Sequence, residues 1–332
     1  MNIEQLRKRF SDENACREFF ESIIWHHGRH CPHCNCGRSY PLSGKSSRPG
    51  LYECSSCKRQ FTVTTHTPMH STKLPLWKWL QCMYFIVNSS KGISSVFMGH
   101  WIGVSQKTAW KMCHAIRELM VPGCEGHPPL NGIVELDEKY FGGKPRYKKG
   151  VKHKRGKGTE KQAVLVAVER HGSVRSALVD NDKAAELQPW IECFVQKDAH
   201  LMTDENRAYP QIGKHYAHHS SVNHSAKEFA RGNIHNNTAE SFNSLLERAK
   251  QGIFHYMSQK HLSRYLNEIG FRWNHRSPKE KRTRTGRKKI VMIAMPVLDM
   301  FRSLLSHALG RQVRRSANGG ILYPITNSAG AY

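Results

Sequence analysis

Ile133-Val-Glu-Leu-Asp137-Glu-Lys-Tyr-Phe-Gly-Gly143 is an apolar run that ends in a glycine turn and carries an aspartate at its centre. β-Branched and aromatic side chains suit a pleated, half-buried surface, so this run predicts the first strand of a sheet. A second aspartate, Asp204, follows the strand-like His200-Leu-Met-Thr203. Glu240 stands early in the helical pattern Asn237-Thr-Ala-Glu-Ser-Phe-Asn-Ser-Leu-Leu-Glu-Arg248. Two strand-borne aspartates and one helix-borne glutamate can hold a pair of hard cations, and a metal pair can cut and rejoin phosphodiesters.

Neighbouring carboxylates need sorting. On an alternating strand Glu135 shares the face of Asp137, while Glu138 turns to the other. Glu138 therefore reads as a salt-bridge partner and Glu135 as an outside candidate for metal support. Glu205 should face away from Asp204 if the strand continues.

Strands are expected at 163–169 and 174–179, joined by a turn at His171-Gly-Ser173. A helix carrying Leu187, Ile191 and Phe194 follows, then strand 200–203, a weaker strand within 215–222, and helices at 238–252 and 261–275. That order predicts a mixed sheet covered by helices, within an α+β multidomain protein.

The chain has 332 residues, room for more than one core. Its 51 Lys+Arg stand against 26 Asp+Glu, a net charge of +25. Self-repulsion opposes such an imbalance, so a polyanionic partner is the economical explanation, and nucleic acid the commonest one. No apolar stretch is long enough to span a membrane, so no membrane partner is expected. The opening Met1-Asn-Ile-Glu-Gln-Leu-Arg lacks a signal-peptide core, and a cytoplasmic location is expected.

The ten cysteines are expected to be reduced in that setting. Four have metal-site spacing: Cys31-Pro-His-Cys34 and Cys54-Ser-Ser-Cys57. Two such knuckles bring four thiolates around one structural Zn²⁺, and the metal would hold a fold too small for a large core. His33 and Cys36 are nearby substitutes.

Helical periodicity governs 3–25, with Asp12 as an N-cap, and returns at 75–120. Ile93–Ile102, the turn Gly103-Val-Ser105 and the helix from Gln106 to Met120 have helix-turn-helix grammar. Gln106, Lys107 and Thr108 fall in the first turn of the second helix, where DNA contacts would be made. Gly123 to Gly132, with Pro122, Pro128 and Pro129, reads as a linker. Two basic segments should neutralise phosphates: the loop 144–161, with Lys148, Lys149, Lys152, Lys154 and Arg155, and the run 279–289, which precedes an amphipathic helix at about 290–310.

Three words go further. Val134-Glu-Leu-Asp137-Glu-Lys-Tyr-Phe-Gly-Gly143, Thr203-Asp204-Glu-Asn-Arg-Ala-Tyr209 and His235-Asn-Asn-Thr-Ala-Glu240-Ser-Phe resemble the zinc-ribbon-bearing bacterial insertion-sequence transposases of the DDE superfamily. The resemblance covers roughly residues 20–276 and includes Arg272-Trp-Asn-His-Arg276. It implies an RNase H-like catalytic domain in which Asp137, Asp204 and Glu240 hold two Mg²⁺ (or Mn²⁺), with His235 and Asn237 supporting them. It also implies double-stranded DNA as partner, both element ends and target, a homodimer or larger assembly on DNA, and a bacterial, nucleoid-associated setting. Two rivals are a DNA-binding regulator with an idle sheet domain and a nuclease that cuts without joining.

The expected organisation is N-terminal helices at 1–29, a zinc ribbon at 30–70 and a helix-turn-helix-like region at 71–122. A catalytic domain at 130–276 and a basic extension at 277–332 with one helix complete it.

Overall fold

The computed structural model describes residues 1–44, 47–120, 128–142, 150, 161–226, 228, 230–315 and 322–324. The chain divides into two units, residues 1–120 with 295–332, and residues 121–294.

The first unit opens with helices α1 (Ile3–Arg9) and α2 (Glu13–Ile24). Asp12 caps α2 as expected, its side chain accepting from the Ala15 amide. A three-stranded antiparallel sheet follows, of β1 (Ser39–Pro41), β2 (Tyr52–Cys54) and β3 (Gln60–Phe61). Its small core is Cys31, Cys54 and Phe61 with Trp25 and Tyr52 against them. Helices α3 (Leu76–Asn88), α4 (Ser95–Ile102) and α5 (Gln106–Leu119) come next. Gly103 ends α4 in the left-handed region at φ 65°, and Ser105 starts α5 by accepting from the Thr108 amide.

The second unit is built on a five-stranded sheet: β4 (Ile133–Phe141), β5 (Gln162–Glu169), β6 (Val174–Val179), β7 (His200–Thr203) and β8 (His218–Ser221). Their spatial order is β6-β5-β4-β7-β8. β5 is antiparallel to β4 and β6, whereas β7 pairs parallel to both β4 and β8. The first strand is thus central and only the second runs against the rest, which is the RNase H-like arrangement.

One face of the sheet buries Leu136, Leu165 and Ala177 under α6 (Ala184–Phe194) and α7 (Tyr209–Gly213). The other buries Val164, Val166 and Val168 under α8 (Asn237–Ala249) and α9 (Leu262–Asn274). A strand covered on both faces needs continuous apolar sequence, and β5 reads Ala163-Val-Leu-Val-Ala-Val168 for that reason.

Residues 277–332, read from the sequence as one basic extension, are divided between the units. β9 (Arg276–Arg282) and β10 (Lys288–Ala294) form an antiparallel hairpin in the second. Helix α10 (Val297–Ser306) belongs to the first, where Phe301 meets Phe19. The helix expected from about 290 therefore begins later. Ile290-Val-Met-Ile293 is a strand-forming run, and Pro296 caps the helix that follows it.

Among the described residues Cys193 is disulfide-bonded and the other cysteines are not, which departs from the expectation of uniformly reduced cysteines. Among the described residues no helix is long and apolar enough to cross a membrane.

Candidate active site

Asp137 lies midway along the central strand β4, and Asp204 follows the end of the neighbouring parallel strand β7. Glu240 occupies the first turn of α8. Asp137, Asp204 and Glu240 line one cleft together with Asn236.

Carboxylate oxygens of Asp137, Glu138 and Asp204 lie within 4.8 Å of one another. Glu240 borders the cleft without joining that tighter group, yet its charge and that of Asp204 both act on Asp137. Burial chiefly, and then these like charges, raise the Asp137 carboxyl to about 6. Asn243 opposes the shift by donating to Asp137 Oδ2 at 2.7 Å.

Glu138 is not the salt-bridge partner that strand alternation suggested. Its carboxylate accepts from the Tyr209 hydroxyl and from Asn206 Nδ2 at 3.2 Å, beside Asp204. Burial, and then the charge of Asp204, push it up to about 7. Both partners come from the segment that follows Asp204, so Glu138 ties the central strand to that segment.

Glu135 likewise differs from its reading as a metal-supporting group. It is fully buried and accepts from the Thr238 and Ala239 amides at 2.6 and 3.0 Å, within the first turn of α8. Exposed helix-terminal N–H groups attract negative charge, so the carboxylate latches the helix that carries Glu240 onto β4. Arg170 balances the buried charge through Nε at 2.6 Å from Glu135 Oε1. The same guanidinium donates to the Asn233 and His235 carbonyls at 2.8 and 2.9 Å, closing the loop before α8.

His235 Nδ1 stands 3.4 Å from Glu135 Oε1, so this histidine reaches the latch. Asn237 is exposed at the start of α8. Its neighbour Asn236 is buried instead, donating from Nδ2 to the Leu136 carbonyl at 2.8 Å. The Oδ1 of Asn236 is buried without a protein partner beside the cleft. Glu205 turns to Ser225, away from the cluster.

The cleft's donor set is all oxygen: two aspartates, a glutamate and an unpartnered amide oxygen. It suits a hard divalent cation and not zinc.

The four predicted zinc ligands converge, with the Sγ atoms of Cys31, Cys34, Cys54 and Cys57 within 4.8 Å of one another. Cys31 and Cys57 are 3.7 Å apart, Cys34 and Cys54 3.5 Å. Tetrahedral zinc with Zn–S near 2.3 Å calls for S···S of about 3.8 Å, so the residues fit the ion. Cys36 turns to the Arg38 carbonyl and Ser55, and His33 to the His66 ring.

Of the predicted DNA contacts, Gln106 donates to Ser95 Oγ at 2.8 Å, and the Thr108 hydroxyl lies 2.9 Å from that of Ser105. Lys107 is exposed. Lys148, Lys149, Lys152, Lys154 and Arg155 lie outside the described residues.

Sequence reasoning missed Asn243, Tyr209 and Arg170. Asn243 could have been found from helical spacing, one turn beyond Glu240. Arg170 gave no local signal, because the contacts that define it are long-range.

Strand order and carboxylate cleft define an RNase H-like protein carrying a zinc ribbon. Residues 129–274 match the ISXO2-like transposase domain, and residues 11–60 the transposase zinc-ribbon domain. The chain thus carries both domains of the zinc-ribbon insertion-sequence transposases of the DDE type.

An uncharacterized protein in transposable element ISH50 of Halobacterium salinarum is 28% identical over 256 residues, covering 73% of this chain and 84% of that protein. Distant solved structures include a simian T-cell lymphotropic virus intasome in complex with PP2A regulatory subunit B56 gamma. It is 12% identical with a TM-score of 0.29, over 76% of this chain and 78% of that one. A pre-cleavage Mos1 transpososome is 12% identical with a TM-score of 0.27, over 57% and 72%. The fold assignment rests on the strand order, not on these two.

Proposed function

We propose that the protein is a DNA transposase that cleaves the ends of an insertion sequence and joins them to target DNA, using Asp137, Asp204 and Glu240 as its catalytic carboxylates. The observation that carries the reading is their shared cleft, on three elements that RNase H-like topology brings together. A pair of divalent cations, Mg²⁺ or Mn²⁺, would activate an attacking oxygen and stabilise the leaving one.

The chain's own residues supply the geometry. Asn243 and the Glu138 amide each donate to one oxygen of Asp137, at 2.7 and 2.9 Å, and so fix the carboxylate at the cleft. Glu135 and Asn236 bind the start of α8 to β4 and thereby set where Glu240 stands. Glu138 and Tyr209 hold the segment after Asp204 against the same strand.

Duplex DNA is the partner that the net charge of +25 fits, first as element end and then as target. Working on two ends together requires at least two copies, and DNA of this kind places the protein in the cytoplasm. The zinc ribbon and the α4–α5 pair would grip the ends, with Lys107 the exposed cation of the α5 first turn. The domains of this reading are a zinc ribbon at 30–70, a helix-turn-helix-like region at 71–122 and a catalytic domain at 130–276.

A strand-transfer assay with a 3′-hydroxyl end tests the reading. Asp137→Asn and Asp204→Asn should each abolish cleavage and joining while end binding persists. Full activity in either variant rejects the assignment, and cutting without joining in the unaltered protein would make it a nuclease.

A further inference from the structure

The β9–β10 hairpin has a charge layout that its own fold does not need. Its register places Lys281 opposite Lys289 and Arg282 opposite Lys288, two like-charged pairs one after the other. Directly opposed residues lie on the same face only a few ångströms apart, and like charges there destabilise a ribbon. Lysines that merely guard a sheet edge against aggregation need no such confrontation. A two-stranded ribbon is already marginal in water.

The two faces differ. One carries Arg282, Lys288 and Glu280, and there Lys288 pairs with Glu280 at 3.1 Å. The other carries Lys279, Lys281 and Lys289 with no carboxylate among them. All three lysines are exposed. The base is anchored in the core: the Arg276 guanidinium sits 3.7 Å over the Trp273 ring, which meets Phe242 of α8 edge-on at 5.3 Å.

We propose that this hairpin is a DNA-binding β-ribbon whose Lys279/Lys281/Lys289 face enters the major groove of duplex DNA. The groove admits a two-stranded ribbon, and seven-residue strands span about 23 Å, two-thirds of a turn of duplex. Phosphates lining it would relieve the opposed lysines. The inference rests on the transposase reading for its partner, and names the element that holds it.

The test is duplex binding by the full-length, zinc-loaded protein across salt concentrations. Lys279→Gln/Lys281→Gln/Lys289→Gln should flatten the log K against log[salt] slope by about 0.9 for each phosphate that is no longer neutralised, about 3 in all. Arg282→Gln/Lys288→Gln, on the opposite face, should change it less, and the triple Lys→Arg variant should keep it. Protection of guanine N7 from methylation should be present in the unaltered protein and absent in the triple Gln variant. An unchanged slope, equal effects from both faces, no N7 protection, or an equal weakening on single-stranded DNA overturns the proposal. Binding is read without catalysis, so an unaltered protein that neither cleaves nor joins DNA ends would sink the transposase reading and leave this result standing.

Discussion

Asn243 donates its side-chain amide to Asp137 Oδ2 at 2.7 Å, joining a helix to a strand 106 residues earlier in the chain. Asn243 is one turn beyond Glu240 on α8, so a single helix both presents one carboxylate and orients another. A hydrogen bond that holds a ligand carboxylate in one rotamer tunes metal affinity without touching the metal.

Asn243→Ala should therefore weaken Mn²⁺ binding by about 10- to 100-fold, with a parallel loss of strand cleavage at limiting metal. Titrating the cleft by calorimetry checks this, and cleavage should recover in part at high Mn²⁺. Unaltered affinity would show that Asp137 holds its rotamer unaided.

Glu135→Ala leaves the half-buried Arg170 without its carboxylate and frees the start of α8. Breaking one side of a buried pair costs about 3–5 kcal/mol, so urea unfolding should show a loss of that size. Adding Arg170→Met should return part of the stability. If the double variant is no better than the single, the pair is not what the fold depends on.

The two raised carboxyls make the metal-free protein pH-sensitive. Asp137 and Glu138 move from ordinary values of 3.8 and 4.5 to about 6 and about 7, chiefly because burial disfavours their charge. Protons are thus held more tightly in the folded state, so their contribution to stability is full below about pH 4 and is lost as pH rises through 6 and 7. Urea midpoints in chelator should fall between pH 5 and pH 8. Asp137→Asn/Glu138→Gln should flatten that fall, and an equally steep fall in the variant would locate the titration elsewhere.

Metal analysis should find one Zn²⁺ per chain. Cys54→Ser should abolish it and expose segment 30–70 to protease, because the small core of Cys31, Cys54 and Phe61 cannot hold the ribbon alone. Cys36→Ser should retain the zinc, since Cys36 turns to Arg38 and Ser55. Zinc loss in Cys36→Ser would enlarge the ligand set.

Much of this was legible in the sequence. The Cys-x-x-Cys knuckles announce themselves by spacing, and β4 and β5 by composition, because a buried strand has to be apolar. Asp137 stands within a strand and Asp204 just after one, and periodicity locates both strands. Glu138 was misread because alternation says which face a side chain leaves, not what reaches it from elsewhere: Tyr209 arrives from 71 residues away. Glu135 and Arg170 are 35 residues apart, and only the β4–β5 pairing makes them neighbours. The β9–β10 hairpin was hidden by its charge, since Lys279-Glu-Lys-Arg282 shows no apolar alternation and Pro278 argues against a strand. Thr283-Arg-Thr-Gly286 was nevertheless a turn signal, with a β-branched run soon after it.

The Glu135 latch grips α8 mainly through backbone amides, those of residues 238 and 239. Two of its three contacts are amides and the third is the Thr238 hydroxyl, so the grip does not depend on the path by which the chain arrives from β8. Added length on that path that spares the tie of Ser225 to Glu205 should accordingly leave Glu240 at its post. The interval between the second and third carboxylates is a free variable of the architecture, and the distance between them in space is not.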